Sequence, residues 1–226
     1  MTTPATTRPE STGEHAPLRV LGIAGSLRSG SYNRALLRAA QEEAPPGMEI
    51  RLYGIAVIPF YNADVEAQGD PEPVVALKAA IHAADALLIS TPEYNHGVPG
   101  VLKNALDWAS RPHRTSVLAC KPVAMLGATA GSGSTFQAQA QLREALVYTG
   151  SCTLAQPELS LSRAGAAFDD ARQPARLTDA DTRDALRELL EALAAWMLVI
   201  RTGEGDRYAA QHARLTADDE RMPRAS

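Results

Sequence analysis

Three short polar segments of the sequence combine residue types that could hold an anion and a flat ring. The first, GSLRSGSYN (residues 25–33), lies between an apolar stretch and an amphipathic one. A helix that begins at the end of this segment directs its first N–H groups and its positive dipole end at the loop. Ser26, Ser31 and Asn33 add short polar side chains, and Arg28 adds a charge-assisted hydrogen bond. We therefore predict a phosphate cradle. In the alternative interpretation, Ser31 only caps the helix while the glycines form the turn.

Two well-known phosphate-binding motifs do not match this first segment. A Walker loop ends in Gly-Lys-Ser/Thr, whereas Gly30 is followed here by Ser31 and Tyr32. A dinucleotide fingerprint needs the pattern G-x-G-x-x-G, whereas this stretch reads GSLRSG. The sequence thus favours neither a nucleoside-triphosphate loop nor a dinucleotide loop at this position.

The second and third polar segments favour a planar ligand. TPEYNHGVPG contains a rigid turn from Pro92 to Asn95, with an aromatic face at Tyr94 and polar ends at Glu93 and Asn95. GATAGSGST lacks bulky side chains over residues 127–133, so that its backbone can approach a ligand closely. Together the three segments predict a slot that takes a phosphate at one end and a ring at the other.

The elements around these loops alternate between strand and helix patterns. The strand patterns are LRVLGIAG, MEIRLYG, DALLIST, KPVAMLGAT and SCTLAQPEL. Amphipathic helical patterns lie between them and after the last, where Asp181 or Thr182 is the expected cap of the final helix. Such alternation implies right-handed βαβ crossovers, and we predict an α/β fold with a doubly wound, five-stranded parallel sheet of order 2-1-3-4-5. The three polar loops then meet at the carboxyl ends of neighbouring strands, where such sheets bind ligands.

Composition limits the classes of partner. The chain has 226 residues, a net charge of -4 and 21% charged residues, which gives no reason to expect nucleic acid or a membrane as partner. We expect a disordered leader at residues 1–16, one domain at 17–201 and a flexible polar tail at 202–226. The apolar core of a signal peptide is missing from the leader, so we expect a cytoplasmic protein. Cys120 and Cys152 are expected to be buried thiols without chemistry.

The motifs GSLRSGSYN, PEYNHGVPGVLKNALDW and GATAGSGSTFQAQAQLR, in this order, resemble the NAD(P)H-dependent FMN reductase family. That family consists of flavodoxin-like proteins and includes quinone, azo-dye and chromate reductases. The resemblance covers Leu18 to Leu159 and implies three groups of FMN contacts. They are Ser26, Arg28, Ser31 and Asn33 at the phosphate, Pro92, Glu93, Tyr94, Asn95 and Gly97 along the isoalloxazine, and Thr129 and Gly131 near its far edge. Ser134 and Gln137 depart from the family, which often has a glycine and an arginine in this loop.

The resemblance also implies an activity and an assembly. Hydride would pass from NADPH or NADH to bound FMN and then, in a ping-pong cycle, to a small-molecule electron acceptor such as free flavin or a quinone. No side chain is expected to be catalytic, because the flavin carries the chemistry. A homodimer or homotetramer is implied, with a subunit contact at or near the helix that carries Lys103, Asn104, Asp107 and Trp108.

Two other functions remain open at this point. A flavodoxin-type electron carrier would bind FMN without reacting with a nicotinamide, and a non-catalytic FMN-binding regulatory protein would only have kept the fold. Carriers tend to be strongly acidic and to sandwich the flavin between aromatic residues. This chain has a net charge of only -4, and Tyr94 is the single aromatic residue of its predicted ring loops. The sequence therefore favours the enzyme.

Overall fold

The computed structural model describes residues 16–170 and 174–204, and these residues contain six α-helices and eight β-strands. Nearly all of the predicted leader, and the tail beyond residue 204, lie outside the described residues. Within the described part, none of the helices combines the length and the apolar character needed to cross a bilayer.

The centre of the fold is a parallel sheet in which the strand order 2-1-3-4-5 is confirmed. Its strands are β1 (Leu18–Ala24), β2 (Met48–Tyr53), β3 (Ala86–Ser90), β4 (Pro122–Ala128), β5 (Cys152–Thr153) and β6 (Leu159–Leu161). The predicted fifth strand is in fact two short strands. Strand β5 pairs with the beginning of β4, and β6 pairs with its end, from Leu126 to Ala128. Both occupy the same sheet edge, beside β4.

Six α-helices surround the sheet. They are α1 (Tyr32–Glu42), α2 (Ala63–Glu66), α3 (Glu72–Ala83), α4 (Gly100–Ala109), α5 (Phe136–Tyr148) and α6 (Ala180–Val199). The cap of α6 differs from the prediction: Asp179 is the N-cap, and its carboxylate accepts the N–H of Thr182 at 2.8 Å. The physical reason is that an N-cap side chain accepts the N–H three residues further on, and for Asp179 that is the N–H of Thr182. A small antiparallel hairpin, β7 (Phe168–Asp169) and β8 (Arg176–Leu177), precedes α6.

Two apolar cores lie on opposite faces of the sheet. Helices α1 and α6 cover one face, and α3, α4 and α5 cover the other. Strand β3 is buried throughout and supplies both cores with alternate residues: Ala86 and Leu88 belong to the first, Leu87 and Ile89 to the second. This burial on both faces is typical of a parallel strand and explains why the strand reads as a continuous apolar run.

Helix α4 turns part of its polar surface inward. Trp108 is fully buried, its Nε1 donates to the carbonyl of Pro59 at 2.8 Å, and its ring meets that of Tyr61 edge to face. Asn104 donates to the same carbonyl at 2.9 Å and accepts the N–H of Tyr61 at 2.8 Å. These two side chains therefore face the interior, where they anchor residues 59–61, and a subunit contact at or near α4 stays a prediction.

The two cysteines are half-buried, not buried as expected. Cys152 lies in β5, which has β4 on one side only, and an edge strand leaves its side chains partly accessible. Cys120 lies in the turn before β4 and has a left-handed backbone conformation, with a φ of 57°. Burial still raises the pKa of the Cys152 thiol to about 11, with a smaller contribution from neighbouring Cys120. The Cys152 thiol therefore lacks the lowered pKa that a nucleophilic cysteine needs.

Candidate active site

The side chain of Asn33 ties the three polar loops together. Its Nδ2 donates to the carbonyl of Ala128 at 2.8 Å, and its Oδ1 accepts the N–H of Ala128 at 3.0 Å and the hydroxyl of Ser90 at 2.9 Å. One amide from the first loop thus joins the ends of β3 and β4. Asn33 is only 3% exposed. A contact between Asn33 and a phosphate stays a prediction, and its side chain already has protein partners beneath the loop.

The same three loops also approach one another closely at two glycines, Gly25 and Gly127. The N–H of Gly25 donates to the carbonyl of Ser90 at 2.8 Å, and a Cβ on Gly25 would lie 3.3 Å from Pro92. A Cβ on Gly127 would lie 2.5 Å from the carbonyl oxygen of Thr91 and would overlap the hydroxyl of Thr135. Glycine is therefore required at position 127, where the second loop meets the third, and at Gly25 a Cβ would fit only if the neighbouring side chains shifted slightly.

The first loop has the features of an anion cradle. Ser31 is the N-cap of α1, and its hydroxyl accepts the N–H of Arg34 at 3.4 Å, as the alternative interpretation expected. The N–H groups of Tyr32 and Asn33 have no acceptor within the helix, because the first turn of a helix leaves its donors unpaired. Arg28 is exposed, and its guanidinium lies 5.7 Å from the ring centre of Tyr32. Free donors and a cation at one point fit a phosphate.

Tyr32 connects this loop with the hairpin before α6. Its hydroxyl donates to the carboxylate of Asp170 at 2.5 Å, and its ring packs 5.3 Å from that of Phe168. The hydrogen bond to Asp170 raises the pKa of the Tyr32 hydroxyl, and partial burial adds to the shift. Tyr32 therefore stays neutral, and it positions the aromatic face on which Arg28 lies.

The second loop closes a tight turn. Tyr94 and Gly97 exchange two backbone hydrogen bonds of 3.1 and 3.0 Å. Between them, Asn95 and His96 both have left-handed backbones, with φ of 51° and 60°. Each such non-glycine residue costs on the order of 1–3 kcal/mol and persists only where its surroundings hold it. The turn therefore needs support from outside itself.

Helix α5 supplies that support at two points. The carboxylate of Glu93 accepts the N–H groups of Gln137 and Ala138, each at 3.1 Å, at the beginning of α5. From one turn further along, Gln141 donates to the carbonyl of His96 at 3.3 Å and accepts the N–H of Val98 at 3.2 Å. Glu93 also lies 3.2 Å from the ring nitrogen of His96. The carboxylate of Glu93 thus faces α5, and its predicted place along a flavin ring stays a prediction.

Sequence reasoning missed Gln141. The residue lies 45 positions after His96 in an ordinary helical pattern, so only the folded chain brings the two together. A weak signal exists at Gly97, where a Cβ would lie 2.9 Å from the Gln141 amide oxygen. That glycine allows the side chain of Gln141 to reach the loop.

The third loop is hydrogen-bonded to the end of β6 and to the segment that follows it. The N–H of Gly131 donates to the hydroxyl of Thr129 at 3.3 Å, and the carbonyl of Gly131 accepts the N–H of Arg163 at 2.7 Å. The N–H of Thr129 donates to Leu161 at 2.9 Å. Thr129 and Gly131 therefore lie at the carboxyl ends of the strands, beside the first two loops. We call this edge of the sheet the rim. Arg163 is a second residue that sequence reasoning missed. It is exposed and lies beside a loop that often contains an arginine in the family.

The fold and this rim define a class of protein. A doubly wound parallel sheet whose first, third and fourth strands end in an anion cradle, a supported turn and a glycine-rich loop is a flavodoxin-like α/β protein. Such a rim is suited to a phosphorylated planar ligand.

Comparisons with known proteins identify the family. Residues 18–166 match the model of the NADPH-dependent FMN reductase family. An NAD(P)H-dependent FMN reductase of Pseudomonas aeruginosa is 48% identical over 184 residues, which are 81% of this chain and 97% of that protein. A quinone reductase of Pseudomonas putida is 37% identical, over 79% of this chain and 94% of that protein. A solved flavoenzyme NAD(P)H:(acceptor) oxidoreductase from Paracoccus denitrificans has a TM-score of 0.72 and 35% identity, covering 79% of this chain and 96% of its own. The chain belongs to the NADPH-dependent FMN reductase family.

Proposed function

We propose that this chain is an NAD(P)H-dependent flavin reductase that binds FMN at the carboxyl rim of its sheet. The observation that carries the proposal is the convergence of the three loops through Asn33, in a chain of this family. FMN, when bound, supplies the redox chemistry, namely hydride acceptance from a nicotinamide and electron delivery to a small acceptor such as free flavin or a quinone. The protein's own part is to bind, orient and stabilise.

Each loop has a separate task in this proposal. The free N–H groups of Tyr32 and Asn33, with Ser26 and Arg28, hold the phosphate. The turn of the second loop presents its backbone and the exposed ring of Tyr94 to the flavin, and α5 keeps that turn in place. Thr129 and Gly131 border the far edge of the ring. Backbone N–H groups aimed at the ring stabilise negative charge as it develops there, as donors in an oxyanion hole do.

Two measurements test this function. The absorbance spectrum of the protein as purified shows whether flavin is bound, and incubation with NADPH and FMN under air shows whether it turns over. We expect NADPH oxidation over many turnovers per protein molecule. An electron carrier or a regulatory binder would bind flavin without sustained NADPH consumption. A protein that neither binds FMN nor oxidises NADPH or NADH with any acceptor would refute the proposal.

We also propose a homodimer or homotetramer formed through the outer face of α4 and α5. A cavity of about 570 Å³ lies between these helices, lined among others by Lys103, Asp107 and Gln141. At its edge Tyr148 is 75% exposed, and Val147 beside it is 57% exposed. Light scattering should give two or four chains for the unaltered protein and a monomer for Tyr148→Asp. An unaltered protein that is monomeric at micromolar concentration would rule this assembly out.

Location and chain organisation complete the proposal. Use of a nicotinamide co-substrate is consistent with the cytoplasmic location expected from the sequence. A single reductase domain at residues 17–201, with separate terminal segments, is consistent with the family match at 18–166. Limited proteolysis tests the organisation, since cleavage should concentrate outside residues 17–201.

A further inference from the structure

A second cavity, with a mainly apolar lining, opens beside the phosphate cradle. It has a volume of about 260 Å³ and lies between α1 and the segment that follows β2. Ser26 and Leu27 of the first loop form one side of it, and residues 53–56 form another. Arg34 and Arg38, one helical turn apart on α1, also line it. The lining contains two cations and, among the described residues, no carboxylate.

These two arginines differ from the others that pack against the body of the protein. Arg34 and Arg38 are half-buried, and neither guanidinium has a hydrogen bond or an ion pair with another described residue. By contrast, the other two half-buried arginines of the described residues pair with acidic groups: Arg143 with Glu158 and Arg183 with Glu43. Glu42, one turn beyond Arg38, pairs with Arg176 at 3.7 Å instead.

A half-buried guanidinium without a counter-charge favours a bound anion. Partial removal from water weakens its hydration, and an anion in the cavity restores the lost interaction. The planar fork of arginine matches a phosphate with two parallel hydrogen bonds. Two such forks one turn apart suit a phosphomonoester, which carries about two negative charges and three acceptor oxygens.

We propose that Arg34 and Arg38 bind the 2′-phosphate of NADPH and so make NADPH the preferred nicotinamide. This inference rests on the proposed function, in which a nicotinamide approaches the rim where the cavity opens. NADH lacks the 2′-phosphate, so the two nucleotides differ in the group that the cavity selects. The selectivity comes from the two arginine side chains of α1, in a cavity that borders the cradle of the FMN phosphate at Ser26.

The test uses the FMN-loaded protein, whose cradle is already filled, and measures the binding of NADP⁺ and NAD⁺ by calorimetry. For Arg34→Gln and Arg38→Gln we expect each to lower the affinity for NADP⁺ by about tenfold, as the loss of a charged hydrogen bond does, while NAD⁺ changes by less than about twofold. Arg51→Gln is the matched control. Arg51 is exposed on β2 and lies outside the cavity, and its replacement changes the net charge by the same amount as the two cavity variants do.

Three results would overturn the inference. They are unchanged NADP⁺ affinity in both variants, equal losses for NADP⁺ and NAD⁺, and a loss in Arg51→Gln as large as in the cavity variants. A measurement on the unaltered protein needs no variant: adenosine 2′,5′-bisphosphate should bind at least about tenfold more tightly than 5′-AMP, and equal affinities would contradict the proposal. These outcomes are separate from failure of the proposed function, which would appear as absent FMN binding or absent NAD(P)H oxidation in the unaltered protein.

Discussion

Replacing Glu93 by glutamine tests whether α5 supports the turn of the second loop. The carboxylate accepts two N–H groups at the beginning of α5, both at 3.1 Å, and its side chain is only 13% exposed. Hydrogen bonds to a charged group contribute about 1.5–3 kcal/mol, and a negative charge near a helix N-terminus adds about 0.3–1 kcal/mol. Glutamine keeps one acceptor oxygen but loses the charge. We expect the free energy of unfolding to fall by about 2 kcal/mol.

The same change should also weaken FMN binding. Because a neutral amide accepts the N–H groups of α5 more weakly, the left-handed turn at Asn95 and His96 visits other conformations more often and the bound form becomes less populated. We expect the dissociation constant for FMN, measured by fluorescence quenching, to rise by about threefold to tenfold. Urea unfolding of the FMN-free protein, at one fixed protein concentration, gives the change in stability.

Glu188→Gln is the matched control for Glu93→Gln. Glu188 is exposed on α6, far along the chain from the loops, and its neutralisation changes the net charge by the same amount. Surface changes of this kind stay within about 0.5 kcal/mol. If Glu93→Gln matched this control in both stability and FMN affinity, the carboxylate would not support the turn, and the reasoning would be wrong. A loss of stability with unchanged FMN affinity would restrict Glu93 to capping α5.

Three further predictions concern stability and thiol chemistry. Asn33→Ala removes three buried hydrogen bonds and should lower the free energy of unfolding by about 3 kcal/mol, which urea titration would detect. Gly127→Ala brings a Cβ within 2.5 Å of the Thr91 carbonyl and should cost about 2–3 kcal/mol, whereas Gly133→Ala, with nothing within 4 Å, should be neutral; equal melting temperatures would contradict this. The thiol pKa of Cys152 is raised to about 11, so we expect slow alkylation near pH 7.5 and a rate that rises roughly tenfold with each pH unit up to that pKa. Mass spectrometry follows the modification, and a rate independent of pH would refute the assignment.

The sheet order and the meeting of the three polar loops could be predicted from the sequence because both depend on local pattern. Continuous apolar runs identify strands that are covered on both faces, and the right-handed crossover rule then leaves few topologies. The three polar loops end neighbouring strands and so had to meet at one rim, as they do through Asn33 and Ser90. Pattern and topology together therefore suffice to predict that the three loops meet at one edge of the sheet.

The directions of individual side chains could not be predicted in this way. Asn104 and Trp108 point inward because each donates a hydrogen bond to the carbonyl of Pro59, which lies 45 and 49 residues earlier in the chain. Gln141 was not singled out, because its partner His96 is 45 residues away. The predicted fifth strand is two strands because one short strand pairs with the beginning of β4 and another pairs with its end. Such contacts depend on pairs of residues that are distant in sequence, and periodicity does not report them.

The rim is held together by protein contacts that need no ligand, and this determines how its residues contribute to function. Asn33, the glycine approaches at Gly25 and Gly127, and the supports from Glu93 and Gln141 fix the loops in advance, so a ligand need not supply the free energy of ordering them. Changes at these positions therefore lower stability and ligand affinity together. Arg28 is exposed and, within the described part of the chain, has no hydrogen bond or ion pair with the other two loops, so its contribution should be confined to the bound phosphate. The contrast with Asn33 is one of burial: the side chain of Asn33 lies within the rim, where it holds the loops, and the guanidinium of Arg28 lies on its surface.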